Sequence, residues 1–394
     1  MSLDLAVADK LAVFGTHGLA GAFAREGRKM GVEMHCFAHP MTEDARRAFD
    51  VCHDVSLTNT QELIALCRQS GTAGILHTSE FTFYPAAQVA AALGLEGLDP
   101  ANARLITDKY RNRQCCAKVE GLAPVEFERI ENVKDIGERW VHKMPFIVKP
   151  TSEAGKRGVA LVHTEQELRD ALAYIEHEPN RGAAYIVESL IPDGINLSIE
   201  GLSYQGTHNI IQVTSAVIDT AHHCSELAHQ QPAQIGKKMR HRVIELDKRV
   251  LDAVGLTFGP SHTEMRIVGE DIYLIEVNAR GGGDLISERL VELSTGYNLV
   301  QGIIEAALGK LEPIDTNALH HWQSGIWYLC EQTANFMPVF EESAHASWCP
   351  MRYAPDGPLT LLTHNGEDHG YFVYQFKDEA PQWVQGWADG WVEL

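Results

Sequence analysis

Hydrophobic positions fall into three regimes along the chain. Over the first hundred residues, short apolar runs alternate with helical periodicity. Leu11–Phe14 is followed by a glycine-bearing turn and a helical stretch through Met30; Glu33–Phe37 reads as a second strand and Gly74–His77 as a third. Thr58 and Gln61 have capping-box spacing, with Leu63, Ile64, Leu66 and Cys67 forming the apolar stripe behind them. Strand–helix–strand alternation predicts an open parallel sheet.

After Thr107 the pattern shifts. A short helix is predicted over Asp108–Val119, a strand over Phe146–Pro150, a polar glycine-containing loop, and a strand over Gly158–Val162. Thr164 and Glu167 then cap a helix whose Leu168, Ala171, Leu172 and Ile175 fall at helical spacing. Three β-rich runs span Ala184–Val217 and two more occupy His262–Asn278, which predicts a mostly antiparallel α+β region. The last eighty residues hold six of the seven tryptophans, and Leu359–Thr363, Asn365-Gly366 and Tyr371–Tyr374 read as a β-hairpin. The tryptophans are expected to be the core of a small β-rich region. These shifts divide the chain into 1–106, 107–312 (with a subdomain over about 145–217) and 313–394.

Composition narrows the function classes. With 394 residues, two or three domains are expected. Lys plus Arg number 33 against 53 Asp plus Glu, a formal charge of −20, which disfavours nucleic acid and anionic membrane as partners. Any polyanion must therefore meet a local cluster of cations or a metal. No apolar run is long enough to cross a bilayer, and Asp4, Asp9 and Lys10 interrupt the N-terminal apolar stretch. The eight cysteines show neither C-x-x-C pairs nor regular spacing, so the expected location is the cytoplasm. A homodimer is the base-rate expectation.

Gly15-x-x-Gly18-x-x-Gly21 follows a strand and opens a helix, but its spacing is not that of a dinucleotide fingerprint. The second strand also ends without an acidic residue to hold a ribose. Tight strand–helix packing accounts for these glycines better.

The sharpest local signal is His262-Thr-Glu264 through Gly269-Glu270-Asp271 to Glu276-Val-Asn278-Ala-Arg280-Gly-Gly-Gly. A three-residue hairpin loop at Gly269–Asp271 places Val268 opposite Ile272 and Glu264 opposite Glu276, with Asn278 on the same face. Carboxylates opposed at about 5 Å repel, so something must compensate. Two carboxylates and an amide oxygen suit Mg²⁺, and Arg280 beside them suits phosphoryl transfer.

Lys149, ending a strand, precedes Thr151-Ser-Glu-Ala-Gly155-Lys156-Arg157-Gly158, a loop able to wrap phosphates with backbone N–H groups. With Lys109 these residues concentrate positive charge in an acidic chain. Glu188, with Ser189 and Leu190 before a Pro-Asp-Gly turn, could hold a flat heterocycle at a strand end. His222, His223, Cys224 and His229 fit no zinc-ligand spacing.

Together these segments resemble the ATP-grasp superfamily, and within it the carboxylate–amine ligases close to bacterial L-amino acid (dipeptide) ligases. The resemblance runs from about Lys109 to Gly309. It rests on Asp108-Lys109, Ile147-Val-Lys149-Pro150, the glycine loop, Val187-Glu188, Glu226-x-x-His229-x-x-Pro232 and Glu264…Glu276-x-Asn278-x-Arg280. It implies an ATP-grasp fold with a Rossmann-like N-terminal domain, a central pair of α+β subdomains and a small β-rich C-terminal region.

The resemblance also implies ATP with one or two Mg²⁺ ions (or Mn²⁺) held by Glu264, Glu276 and Asn278. Lys109 and Lys149 would contact the α- and β-phosphates, and Gly155, Lys156, Arg157 and Gly158 the β- and γ-phosphates. Glu188, Ser189 and Leu190 would hold adenine, and Asn196 stands at the usual ribose position. Arg280 and Lys149 are the catalytic candidates. Glu226 and His229 would line an amino-acid pocket, with Ser79 and Glu80 candidates for the substrate amine. The implied reaction activates a carboxylate as an acyl phosphate, which an amine then attacks. The alternatives are a purine-pathway or biotin-carboxylase-like enzyme activating formate or bicarbonate, and a non-catalytic nucleotide-binding subunit, which should lack a metal ligand or Arg280.

Overall fold

The first sheet is fully parallel, in the order β3-β2-β1-β4, and comprises β1 (Lys10–Phe14), β2 (Glu33–Ala38), β3 (Val51–Asp54) and β4 (Gly74–His77). The computed structural model describes residues 8–153, 158–177, 184–219, 225–363 and 369–385. Gly74–His77 is thus the fourth strand of the chain. The missed β3 is a four-residue, half-exposed edge strand, Val-Cys-His-Asp, too short to show alternation. The expected Thr58 cap falls at Asn59, whose side chain accepts from the Glu62 N–H at the start of the Thr60–Ser70 helix. The glycines of the first turn answer to packing. A Cβ on Gly15 (φ +103°) would lie 2.2 Å from Thr78 Oγ1, and one on Gly18 (φ +58°) 2.6 Å from the Thr78 carbonyl. That contact seats the first turn against Thr78, between the end of β4 and the start of the Glu80–Leu93 helix.

The second sheet is antiparallel, ordered β5-β8-β6-β7, from β5 (Phe127–Ile130), β6 (Phe146–Pro150), β7 (Ala160–Val162) and β8 (Tyr185–Ser189). The Glu165–His177 helix lays Leu168, Ala171 and Leu172 on it beside Trp140 and Phe146. Gly155, Lys156 and Arg157 lie outside the described residues. Gly158 (φ +67°) is described, and a Cβ there would meet Pro150 Cγ at 2.8 Å.

The third sheet runs β13-β12-β9-β10-β11-β14-β16-β15. Its strands are β9 (Ile195–Tyr204), β10 (Thr207–Asp219), β11 (Ser225–Gln231), β12 (Gly259–Val268), β13 (Asp271–Asn278), β14 (Gln323–Leu329), β15 (Met351–Tyr353) and β16 (Gly370–Phe376). The Lys237–Val254 helix covers one face with Val243, Leu246, Val250 and Val254 against Leu197, Ile199, Met265 and Val277. The C-terminal strands extend this sheet through β11–β14 pairing rather than forming a sheet of their own. The expected hairpin from Leu359 is corrected: 359–363 form no strand, Asn365-Gly366 lie outside the described residues, and β16 pairs with β14 and β15. Trp327, Trp348 and Trp383 pack with Phe336, Phe340 and Phe372 as core.

Candidate functional site

Glu264 does face Glu276, although the turn is not the expected one. Val268 pairs with Asp271 across a two-residue turn at Gly269 (φ +61°), and Met265 pairs with Leu274. An irregularity between Glu264 and Met265 then makes Ile275 an extra, bulged residue and restores the opposition of Glu264 and Glu276. Asn278 comes two residues on, opposite His262, and is buried.

β13 is the edge of the third sheet, and its outward carbonyls are met one after another. Ala123 N–H donates to Ile272 O, the Arg113 guanidinium to Leu274 O and Ile275 O, and Asn112 Nδ2 to Val277 O. His77 Nε2 lies 2.5 Å from Ala279 O. An edge strand with its carbonyls satisfied is held firmly although no strand among the described residues covers it. Burial pushes the His77 imidazole down to about 4, so it is a neutral ring with its Nε2–H toward that carbonyl.

Two adjoining hollows lie along β13. One, of about 290 Å³, is lined by Lys109, Asn112, Arg113, Lys149, Glu188, Leu274, Ile275 and Glu276. The other, of about 210 Å³, is lined by Glu80, Phe83, Ile106, Thr107, Asn278, Ala279 and Arg280. Lys109 opens a helix capped by Asp108 and ion-pairs with Glu276; burial opposes its charge, yet Glu276 holds its pKa above the ordinary value. Lys149 Nζ reaches Glu188 Oε2 at 2.6 Å, and Arg113 Nε reaches Glu188 Oε1 at 2.5 Å. Burial alone would raise the Glu188 pKa, but the two cations hold it down at about 2.

The structure therefore brings together Lys109, Lys149, Glu188, Glu264, Glu276, Asn278, Glu80 and Arg280. Several details differ from expectation. The Glu188 carboxylate is committed to Arg113 and Lys149. The Ser189 and Leu190 N–H groups donate to Glu126 O (2.9 Å) and Pro145 O (3.4 Å). Asn196 Oδ1 accepts from Arg266 Nε at 2.7 Å. Glu80 Oε1 accepts from Arg280 Nε at 2.6 Å, and the Ser79 N–H donates to Thr82 Oγ1 at the helix start.

Sequence reading missed Arg113, His262, Glu200, Asp284 and Tyr328. His262 Nδ1 lies 3.0 Å from Glu200 Oε1, and its Nε2 lies 3.6 Å from Glu264 Oε1. Burial disfavours a charged ring, but Glu200 and Glu264 push its pKa up to about 10. A Cβ on Gly282 would sit 2.8 Å from His262 Nδ1 and 2.9 Å from Glu200 Oε2, which explains one glycine of the run after Arg280.

Beyond that run, Asp284 and Leu285 both adopt left-handed φ, 51° and 62°, uncommon for residues with a side chain. Asp284 Oδ2 lies 3.4 Å from buried His229 Nε2, and Glu226 Oε2 lies 3.8 Å from the same atom. Burial works against both charges; even so, the Asp284 pKa is lowered by His229 and that of His229 is raised by Asp284 and Glu226. Tyr328 also packs against Asp284, and burial with the nearby carboxylates raises its hydroxyl well above the ordinary value. The three glycines between Arg280 and Asp284 were the available signal for Asp284. Arg113 gave none.

The family profile of the ATP-grasp domain matches residues 142–288. The chain is 25% identical over 235 residues to a formate-dependent phosphoribosylglycinamide formyltransferase of Shewanella frigidimarina, covering 53% of this chain and 54% of that protein. It is 21% identical over 252 residues to the alanine–anticapsin ligase of Bacillus subtilis, covering 57% and 51%. It spans about half the length of these relatives. The solved structure of an L-amino acid ligase from Bacillus licheniformis superposes with TM-score 0.78 at 20% identity, over 97% of this chain and 96% of that one, which establishes the shared fold. No helix among the described residues is long and apolar enough to cross a membrane.

Proposed function

For a chain that carries an ATP-grasp domain and has the ATP-grasp fold, we propose the activity of an ATP-dependent carboxylate–amine ligase that joins an amino-acid-like carboxylate to an amine. The observation that carries this reading is the opposition of Glu264 and Glu276, with Asn278 and Arg280 following on β13 and the Lys109 and Lys149 ammonium groups close by.

The donor set fits Mg²⁺. Two half-exposed carboxylates and one buried amide oxygen are hard ligands, and they leave positions for phosphate oxygens. Glu264, Glu276 and Asn278 would hold one or two ions, which when bound neutralise the β- and γ-phosphate charge. Lys109 and Lys149 supply further positive charge to the triphosphate, and 155–158 are assigned to it from sequence. Glu188 sits between the Arg113 and Lys149 cations and orients Lys149, so the adenine edge falls to the carbonyls of Ser189 and Leu190. A substrate carboxylate oxygen attacks the γ-phosphorus, ADP departs, and an acyl phosphate forms. An amine then attacks the acyl carbon, phosphate leaves, and the amine loses a proton. Arg280 faces the charge that builds on the transferring phosphoryl group and on the tetrahedral oxyanion.

Glu226, Asp284, His229 and Tyr328 form an acidic cluster suited to an ammonium group, which favours an amino acid over an anionic phosphoribosyl substrate. The formyltransferase relative makes formate activation the second reading. A matrix of amino-acid pairs assayed for Mg·ATP-dependent phosphate release, followed by mass analysis, separates the two. Amide products are expected. Activity with formate plus a phosphoribosyl amine alone would favour the second reading, and no ADP with any carboxylate–amine pair would overturn the first.

A further inference from the structure

We propose that Arg113 is a positioning residue that locks the metal-binding strand to the phosphate-binding lysine. The proposal rests on the nucleotide reading above and assigns a task to a residue that reading does not use. Arg113 is only 7% exposed and lies on the helix opened by Lys109. Its Nη1 donates to Leu274 O at 2.6 Å and its Nη2 to Ile275 O at 2.8 Å, the residue before the bulge and the bulged residue itself. Its Nε donates to Glu188 Oε1 at 2.5 Å, and the other oxygen of Glu188 holds Lys149 at 2.6 Å.

The bulge decides which way Glu276 points. Residues before it pair in one register, residues from Glu276 onward in another, and losing it would shift Glu276 out of opposition to Glu264. Among the described residues β13 has no strand on its outer side to stabilise the irregularity, so the two carbonyls depend on side-chain donors. The planar guanidinium supplies two parallel donors for them and a third, at a fixed angle, for Glu188. One rigid group thereby sets the third sheet's carboxylate against the second sheet's lysine, reaching Glu188 75 residues away and Leu274 161 residues away in sequence. Lysine has the charge but not the fork.

Loss of an outer partner of a metal ligand typically costs 10–100-fold in metal affinity or activity. Arg113→Ala should therefore raise the Mg²⁺ concentration needed for half-maximal ADP binding by 10–100-fold, measured calorimetrically well below the melting temperature. Arg113→Lys should recover part of the loss, through Glu188 alone. Added methylguanidinium should restore Mg²⁺-dependent binding in Arg113→Ala and leave wild type unchanged. Asn112→Ala, which removes the donor to Val277 O outside the bulge, should shift Mg²⁺ dependence less.

If wild type binds Mg·ADP while folded Arg113→Ala binds it with unchanged Mg²⁺ dependence, the positioning role is wrong. The same conclusion follows if Arg113→Ala only melts earlier and methylguanidinium restores nothing. If wild type itself fails to bind Mg·ADP, the nucleotide reading has failed instead.

Discussion

β13 and β11 both present site residues, and they are built on opposite terms. β13 is an edge strand of alternating character, with Ile272, Leu274 and Val277 in the core and Glu276 and Asn278 on the site face. β11 lies inside the sheet as Ser-Glu-Leu-Ala-His-Gln-Gln, almost wholly buried although mostly polar. Its Gln231 Nε2 donates to Thr214 Oγ1 and its Oε1 accepts from Ser294 Oγ, both at 2.9 Å. The edge strand keeps its shape through donors borrowed from helices, whereas the inner strand pairs Gln231 with Thr214 and Ser294 while Ser225 Oγ, His229 Nδ1 and Gln230 Oε1 stay buried without a hydrogen-bond partner among the described residues. Alternation reveals the first kind of strand. Nothing short of the folded partners reveals the second.

The largest effect expected is on the β13 side. Glu276→Ala or Arg280→Ala should reduce ATP-dependent phosphate release by at least about 10³-fold, the scale of losing a charge-stabilising group in phosphoryl transfer. Residual activity within tenfold of wild type would remove β13 from the chemistry. On the β11 side the expected loss is smaller and selective. Asp284→Asn, which weakens the cluster shared with His229 and Glu226, should raise the KM for the amino-acid substrate roughly 10–100-fold and leave that for ATP unchanged, since a buried charge partner contributes about 1.5–3 kcal/mol. An equal rise in both KM values would instead mean that Asp284 only supports the fold.

Gln231→Ala tests whether the polar inner strand depends on its network. Buried Thr214 would lose the donor to its hydroxyl and Ser294 one of its three partners, and unfolding free energy measured by urea denaturation should fall by about 1–3 kcal/mol. No loss would show that the network adds specificity but little stability.

The smallest effect concerns Asp247, fully buried on the Lys237–Val254 helix behind β12, whose carboxyl burial pushes up to about 7. The folded chain keeps a proton that the unfolded chain releases near pH 4, so this group's contribution to stability declines as pH rises toward 7 and is flat above. Between pH 6 and pH 7 the decline should be about 1 kcal/mol, and Asp247→Asn should abolish it. Paired denaturation curves at the two pH values check this; an unchanged slope in the variant would place the titration elsewhere.

The parallel sheet, the antiparallel pair and the Glu264–Glu276 opposition were legible because each follows from alternation or strand–helix order. The opposition survived a wrong loop length because the two-residue turn and the extra residue at Ile275 cancel. Bulges are set by partners such as Arg113, 161 residues from the carbonyl of Leu274, and no local pattern announces them. Short edge strands such as β3 and β15 escaped or misled for a related reason: three or four residues carry too little periodicity. The run 359–363 looked like a strand from its apolar content, yet β16 found its partners at β14 and β15.

The account stands on a divalent ion and a nucleotide meeting at Glu264 and Glu276, and a calorimetric titration of Mg·ADP tests that directly. Wild type should bind ADP tightly only with Mg²⁺ or Mn²⁺ present, and Glu264→Gln and Glu276→Gln should each lose the metal-dependent part while remaining folded. Tight ADP binding that ignores the metal, or persists unchanged in both variants, would contradict it.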